Sequence, residues 1–305
     1  MTTTDPTAAD PTSNFPSGGG ASSDGSSRTG PTGTDPTAAG PLSPVSRTAL
    51  AVALVRAYES SRPDPLFVDR YAAAFVEASA VPVPTAGPDS PFARRLVVHG
   101  ILRTRFYDDR LRAAGTDQVV LLAAGLDTRA YRIDWPAGTR LFELDLAPVL
   151  AFKQQVLDGL GAAPACERTT LPGDLLDGEW PRRLVDAGFD PRRPTAWLAE
   201  GLLVYLTAEE AAGLLGVVGE LSAPGSRLLL EKGRDVASTP QDPSLAHIAD
   251  LWQGGLGTGT HEWLDAHGWS TRVTLLDEVA AGLGRPFPAG SGPTTSGFVE
   301  AVRTP

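Results

Sequence analysis

Apolar residues recur three and four apart through SRTALAVALVRAYESSRPDP (46–65), the period of a helix with one buried face. Ser46 stands as its N-cap, and Pro63 and Pro65 stop it. A second helix is predicted over PLFVDRYAAAFVEAS (65–79), and a long third over PFARRLVVHGILRTRFYDDRLRAAG (91–115), with Gly115 just past its end. Together they read as an N-terminal cap or lid element. The period then changes. QVVLLAAG (118–125) is a buried strand, and TRLFELDL (139–146) is a second. The helix PVLAFKQQVLDGLG (148–161) follows, with Pro148 at its start. RTTLPGD (168–174), TAWLAEGLLVYL (195–206) and SRLLLEKG (226–233) read as further strands. Helices are predicted between them over EWPRRLVDAG (179–188) and TAEEAAGLLGVVGEL (207–221). Thr207 with Glu210 forms a capping-box pattern at the start of the latter. STRVTLL (270–276) and GFVEAVR (297–303) look like a closing pair. Strands alternating with helices predict an α/β fold, a mostly parallel sheet covered on both faces.

Composition narrows this picture. The first 43 residues are dominated by Thr, Pro, Gly, Ser and Asp, with Phe15 the only large apolar residue between Met1 and Leu42. Such a segment buries too little surface to offset its ordering entropy, so it reads as a disordered tail. It has no basic stretch followed by an apolar one and is not a signal peptide. The expected organisation is a tail over 1–43, a helical cap over 44–115 and a core over 116–305. With 305 residues, 42% hydrophobic, the chain is long enough for one sizeable α/β unit. The net charge of −10 disfavours a nucleic-acid partner, because an acidic surface repels phosphate backbones. No segment reaches the roughly 18 apolar residues of a membrane span. The single cysteine, Cys166, excludes an intrachain disulfide and a Cys-rich zinc site, and fits a reducing cytoplasm.

The candidate chemistry starts at VVLLAAGLDTRAYRIDW (119–135), where an apolar strand runs into one glycine, Gly125, and then an acid. Ligands of open parallel sheets sit outside the carboxyl ends of the strands. Asp145 ends the second strand 20 residues after Gly125, the spacing at which an acid hydrogen-bonds ribose hydroxyls. A dinucleotide's pyrophosphate needs several glycines in the turn, and here Leu126, Thr128 and Arg129 are expected to carry side chains into that space. S-adenosyl-L-methionine has an adenosine and no phosphate, and one glycine suffices for it. A nicotinamide dehydrogenase is disfavoured on the same ground.

SRPDPLFVDRYAAAFV, LRTRFYDD, QVVLLAAGLDTRAYRIDW, LFELDLAPVLAFKQ, GDLLD and LAEGLLVYLTAEEAAGLL together resemble the leucine carboxyl methyltransferase-like family, in particular its actinobacterial branch of S-adenosyl-L-methionine-dependent methyltransferases. The resemblance spans roughly residues 45 to 303. It implies a class I methyltransferase fold: a seven-stranded Rossmann-like sheet whose last strand is antiparallel, with an N-terminal helical cap. It implies that Gly125 lies under the methionine part of the cofactor, that Asp145 holds the ribose, and that Asp174 and Leu175 flank the adenine. Glu200 matches the family's acid at the end of the fourth strand, near the cofactor's amino group. An acid in so apolar a strand needs a cationic partner, either that ligand or one of the chain's arginines. Arg103 matches the cap-helix arginine that grips the cofactor carboxylate, a task suited to a forked guanidinium. Arg105 competes for that role, but the two lie about 200° apart on a helix and cannot face one pocket. Arg47 is a further basic position with thin local similarity.

Methyl transfer from a sulfonium is an in-line displacement in which the protein aligns the groups and excludes water. A carboxylate acceptor needs no base, whereas a phenol does. His99, His247, His261 and His267 show no spacing that singles out a base, so no catalytic residue is assigned. Tyr205 serves either the pocket or the core. The expected activity is O-methylation of a carboxyl or hydroxyl group on a small molecule. A protein C-terminal carboxyl methyltransferase and a cofactor-binding module without turnover are the alternatives.

Overall fold

β1 (Gln118–Leu122) is buried at every position, as a strand must be when both faces of its sheet are covered. In the computed structural model, which describes residues 44–79, 91–233, 250–285, 287 and 296–305, it is an interior strand of a seven-stranded sheet. The other strands are β2 (Arg140–Asp145), β3 (Glu167–Pro172), β4 (Ala196–Ala199), β5 (Arg227–Glu231), β6 (Trp269–Leu275) and β7 (Gly297–Arg303). Their order is β3-β2-β1-β4-β5-β7-β6, and β7 alone runs antiparallel, to β5 on one side and β6 on the other. This is the sheet of the class I methyltransferase fold. The chain builds outward from β1 to β3 and then returns to lay β4 on the opposite side of β1. That reversal makes the carboxyl ends of β1 and β4 the topological switch point.

Successive strand residues feed two separate cores. Val119 and Leu121 pack with Leu50 and Ala53 of α1 (Pro44–Ser60), Phe75 of α2 (Ala72–Ala78), and Leu102, Phe106 and Tyr107 of α3 (Pro91–Arg112). Val120 and Leu122 pack on the other face with Trp180 and Leu184 of α6 (Trp180–Asp186), Leu214, Leu215 and Val218 of α7 (Ala208–Glu220), and Leu264 of α8 (Thr260–Ala266). The remaining helices are α4 (Arg129–Arg132), α5 (Ala147–Gly159) and α9 (Leu276–Gly282). Each large apolar side chain so buried contributes about 1.5–3 kcal/mol. The N-terminal helices therefore complete one face of the sheet, and lifting them off as a lid would expose its core. Among the described residues, no helix is long and apolar enough to cross a membrane.

Several boundaries differ from the sequence reading. α1 begins at Pro44, upstream of Ser46, with proline at the first helical position. α2 is only seven residues long. The residues before it are wired to the end of α1 instead: Glu59 accepts from the Leu66 N–H at 2.7 Å, and Ser60 Oγ accepts from the Asp69 N–H at 2.8 Å. β4 stops at Ala199, because Gly201 takes φ +63° and a single 3-10 turn, Leu203–Tyr205, follows. α4 had no counterpart in the sequence pattern. The capping box of α7 is present in full. The expected tail over 1–43 lies outside the described residues.

Candidate functional site

A cavity of about 390 Å³ opens at the switch point. Its wall brings together all six residues singled out from the sequence: Arg103, Gly125, Asp145, Asp174, Leu175 and Glu200. Thr48, Ala49, Val52 and Arg56 of α1 close one side, and Tyr205 lines another. Its size is that of an ordinary small-ligand site, mostly apolar with a few placed polar groups.

One end is built from strand-end loops. Asp145 Oδ2 accepts the Gly125 N–H at 2.6 Å, and Oδ1 accepts the Leu146 N–H at 2.6 Å. The carboxylate is thereby fixed between the first two strands, with lone pairs left over for hydroxyl donors. Burial pushes its pKa above the usual aspartate range, against the pull of those two N–H groups. Asp174 Oδ1 holds the Leu176 N–H at 2.9 Å and so shapes the loop that presents Leu175. Gly125 has φ +50°, and a Cβ added there would lie 3.4 Å from the Ala49 side chain. Ala123 also has φ +50°. The turn thus contains two left-handed residues with only one glycine. Holding an alanine there costs on the order of 1 kcal/mol, and such strain concentrates at functional sites.

The other end is a chain of buried charges. Arg103 Nε lies 2.9 Å from Glu200 Oε1, and its Nη1 lies 2.9 Å from Glu231 Oε1. Glu200 Oε2 is 2.9 Å from Arg129 Nη1. Arg129, fully buried, also pairs with Asp127 and donates from Nε to Asp108 Oδ1 at 2.8 Å. Asp108 in turn accepts from Arg132 Nη2 at 2.8 Å. Burial alone would raise the pKa of Glu200, but Arg129 and Arg103 outweigh it and hold the carboxyl below the usual glutamate range. Asp127 is held down at about 2 in the same way: Arg129, then Lys153 and Arg132, outweigh its desolvation. Tyr107, buried beside this chain, has its phenol pushed well up by burial and by Glu231 and Glu200, so it stays protonated.

One sequence expectation needs correction. Thr128 and Arg129 do not reach into the space beside Gly125. Thr128 Oγ1 donates to Asp69 at 2.7 Å, and Arg129 turns into the charge chain, because each finds a buried acid on the cap side. What closes the turn to a phosphate is its own bonding. The N–H groups of Gly125, Asp127 and Arg129 are donated to Asp145, Ala124 O and Asp127 respectively. Of the two cationic partners left open for Glu200, the arginines are present: Arg103 and Arg129 flank it. Arg105 faces away, donating to Leu66 O at 2.6 Å and pairing with Asp109 at 2.8 Å. His99 stacks on Phe298, His261 pairs with Glu262, and His267 bonds Trp263 O, all away from the cavity. His247 and the Arg47 side chain lie outside what is described. The sequence reading missed Arg56, Asp127, Arg129 and Glu231. Its only signal for two of them was a pair of opposite charges inside GLDTRAYR.

Comparison with known proteins shows the family. The sequence model of the leucine carboxyl methyltransferase family matches residues 49–219. A protein of Frankia alni, provisionally named an S-adenosyl-L-methionine-dependent methyltransferase, is 52% identical over 85% of this chain and 94% of its own. A Mycolicibacterium smegmatis protein of the same provisional name is 42% identical over 80% of this chain and 89% of its own. Among solved structures, a DUF574 family protein from Streptomyces avermitilis aligns with a TM-score of 0.48 and 17% identity, over 83% of this chain and 97% of that one. On the family match and these relatives, the chain belongs to the leucine carboxyl methyltransferase family.

Proposed function

We propose that this S-adenosyl-L-methionine-dependent methyltransferase methylates an oxygen of a small molecule, and that the acceptor oxygen belongs to a carboxylate before a hydroxyl. The cavity suits the cofactor chemically. Asp145 would take the ribose hydroxyls, Asp174 and Leu175 the adenine, and Gly125 the close backbone approach. Glu200 and Arg103 would take the ammonium and the carboxylate of the amino-acid end. Bound there, the cofactor supplies an electrophilic methyl group on a cationic sulfonium.

One observation carries the choice of acceptor. Among the described residues, no histidine or lysine lines the cavity, and each acid in its wall is either paired with arginine or assigned above to the cofactor. Asp127 is held by Arg129, Asp145 by two N–H groups, Asp174 by Leu176 N, and Glu200 by two arginines. A neutral hydroxyl must lose a proton to something as it attacks. A carboxylate arrives ionised at neutral pH and asks only for alignment and exclusion of water. The apolar wall of Val52, Leu202 and Leu206 serves that exclusion.

The test is methyl transfer from labelled S-adenosyl-L-methionine to matched carboxylic acids and phenols, followed by mild alkali. An ester releases its label as volatile methanol, which is the expected result. Label retained through alkali would assign a hydroxyl acceptor. Tight cofactor binding with no transfer to any acceptor would support a binding module instead.

A further inference from the structure

Glu231, the last residue of β5, does two things at once at the cap-facing end of the cavity. Both of its carboxylate oxygens accept the Gly201 N–H, at 2.9 and 3.0 Å, and Oε1 also takes Arg103 Nη1 at 2.9 Å. Gly201 is the left-handed residue directly after Glu200, and a Cβ there would lie 3.3 Å from Arg103 Nη1. Gly201 therefore sits against the guanidinium, and the bond from its N–H fixes the turn that aims Glu200. Arg103 comes from α3, 128 residues earlier; its Nη1 donates to Glu231, while its Nε lies 2.9 Å from Glu200 as an ion pair without a hydrogen bond. Its Nη2 makes no hydrogen bond to an acid among the described residues. A guanidinium hydrogen-bonded to one acid and set against a second has a restricted orientation, and a carboxylate meeting its remaining N–H groups is bound directionally.

We propose that Glu231 is a positioning residue for the amino-acid end of the cofactor. It sets the orientation of Arg103 and the turn that carries Glu200, without lining the cavity itself. The proposal rests on the cofactor reading given above. It differs from that reading in locating the control of amino-acid-end affinity on β5, outside the cavity wall.

Glu231→Gln tests it. Glutamine keeps the volume and an oxygen for the Gly201 N–H, but gives Arg103 no negative charge to hold it. Two probes separate the ends of the cavity. S-adenosylhomocysteine uses both ends, whereas 5′-methylthioadenosine lacks the amino acid and uses only the Asp145 end. The expected result is S-adenosylhomocysteine affinity weakened about tenfold, the scale of one charge-assisted hydrogen bond, with methylthioadenosine affinity within about twofold of wild type. In turnover, KM for S-adenosyl-L-methionine should rise by a similar factor with kcat nearly unchanged, as for loss of uniform binding. Unchanged S-adenosylhomocysteine affinity overturns the proposal. So does tighter binding, which would make Glu231 a competitor for Arg103. Equal weakening of both probes with a lower melting temperature also overturns it, by showing a structural role only. If the wild-type protein binds neither probe, the cofactor reading itself fails.

Discussion

The two ends of the cavity hold their acids by different physics. At the strand-loop end, Asp145 and Asp174 are held by backbone N–H groups, and Asp174 and the Leu146 bond of Asp145 reach no further than two residues along the chain. At the cap-facing end, Glu200 is held by guanidinium groups from residues 103 and 129, and the chain continues to Asp108, Asp127, Arg132 and Glu231. The first arrangement leaves a carboxylate partly neutralised by local dipoles and free to accept more hydrogen bonds. The second is a nearly closed set of opposite charges, in which seven side chains carry four negative and three positive charges. One excess carboxylate in a buried set is a place for a cation. The difference separates a site of hydrogen-bond recognition from one of charge recognition within a single cavity.

The most severe way to break this contrast is to remove Arg129. Its guanidinium meets Asp108, Asp127 and Glu200 while being about 1% exposed. Arg129→Met leaves three buried carboxylates short of their counter-charge. Breaking one buried pair costs about 3–5 kcal/mol, and this substitution should destabilise the protein by at least that much. Urea denaturation of the variant beside the wild type measures it. A loss below about 1 kcal/mol would mean that water or rearranged side chains reach these acids. Arg129→Lys should recover only part, since an ammonium cannot serve three directions in one plane.

Acid titration sharpens the contrast, because the two ends respond with opposite sign. The Asp127 carboxyl is held at about 2, below its ordinary 3.8. Its contribution to stability is present above 3.8 and is lost as pH falls from there toward 2. The Asp145 carboxyl is pushed above 3.8, so its folded form binds a proton sooner than the unfolded chain does. Its contribution is present below 3.8 and is lost as pH rises through the raised value. Each group bends the stability curve by at most about 1.4 kcal/mol per pH unit. Denaturation midpoints between pH 2 and 7 should therefore show Asp127→Asn losing less stability than wild type on the acid side of 3.8. Asp145→Asn should lack the gain that wild type shows as pH falls toward 3.8. Parallel curves for all three proteins would remove the distinction between the ends.

The same contrast explains what the sequence revealed. Asp145 was legible because it depends on two regular features, a strand period and a 20-residue interval from Gly125. The mostly parallel sheet and the helices on both faces followed from the alternation of periods. The charge chain was not legible, because two of the partners of Arg129, Asp108 and Glu200, lie 21 and 71 residues away and only the packing of α3 onto the sheet brings them together. Thr128 and Arg129 were for that reason expected beside Gly125. Local spacing says that they follow the turn, but not which way buried acids draw them. Ala123 was invisible for another reason: a left-handed alanine leaves no mark in composition. The end of β4 was overrun because LAEGLLVYL stays apolar beyond the residue at which Gly201 turns the chain.

The smallest expected effect tests the boundary of the charge chain on α3. Arg105 lies two residues from Arg103 but on another face, with its side chain and that of its partner Asp109 each more than a third exposed. Solvent screens such a pair, and exposed ion pairs contribute about 0–1 kcal/mol. Its bond to Leu66 O ties α3 to the segment after α1, which affects stability and not the cavity. Arg105→Ala should therefore cost about 0–1 kcal/mol in denaturation and leave S-adenosylhomocysteine affinity within about twofold of wild type. Arg103→Ala, measured at the same salt concentration, is the comparator that should lose affinity, because it removes one partner of a partly buried charge pair. If Arg105→Ala loses affinity while Arg103→Ala keeps it, α3 presents its other face to the ligand in solution. If both keep it, the cavity binds its cofactor by the Asp145 end alone, and the charge chain holds the fold together without reading the ligand.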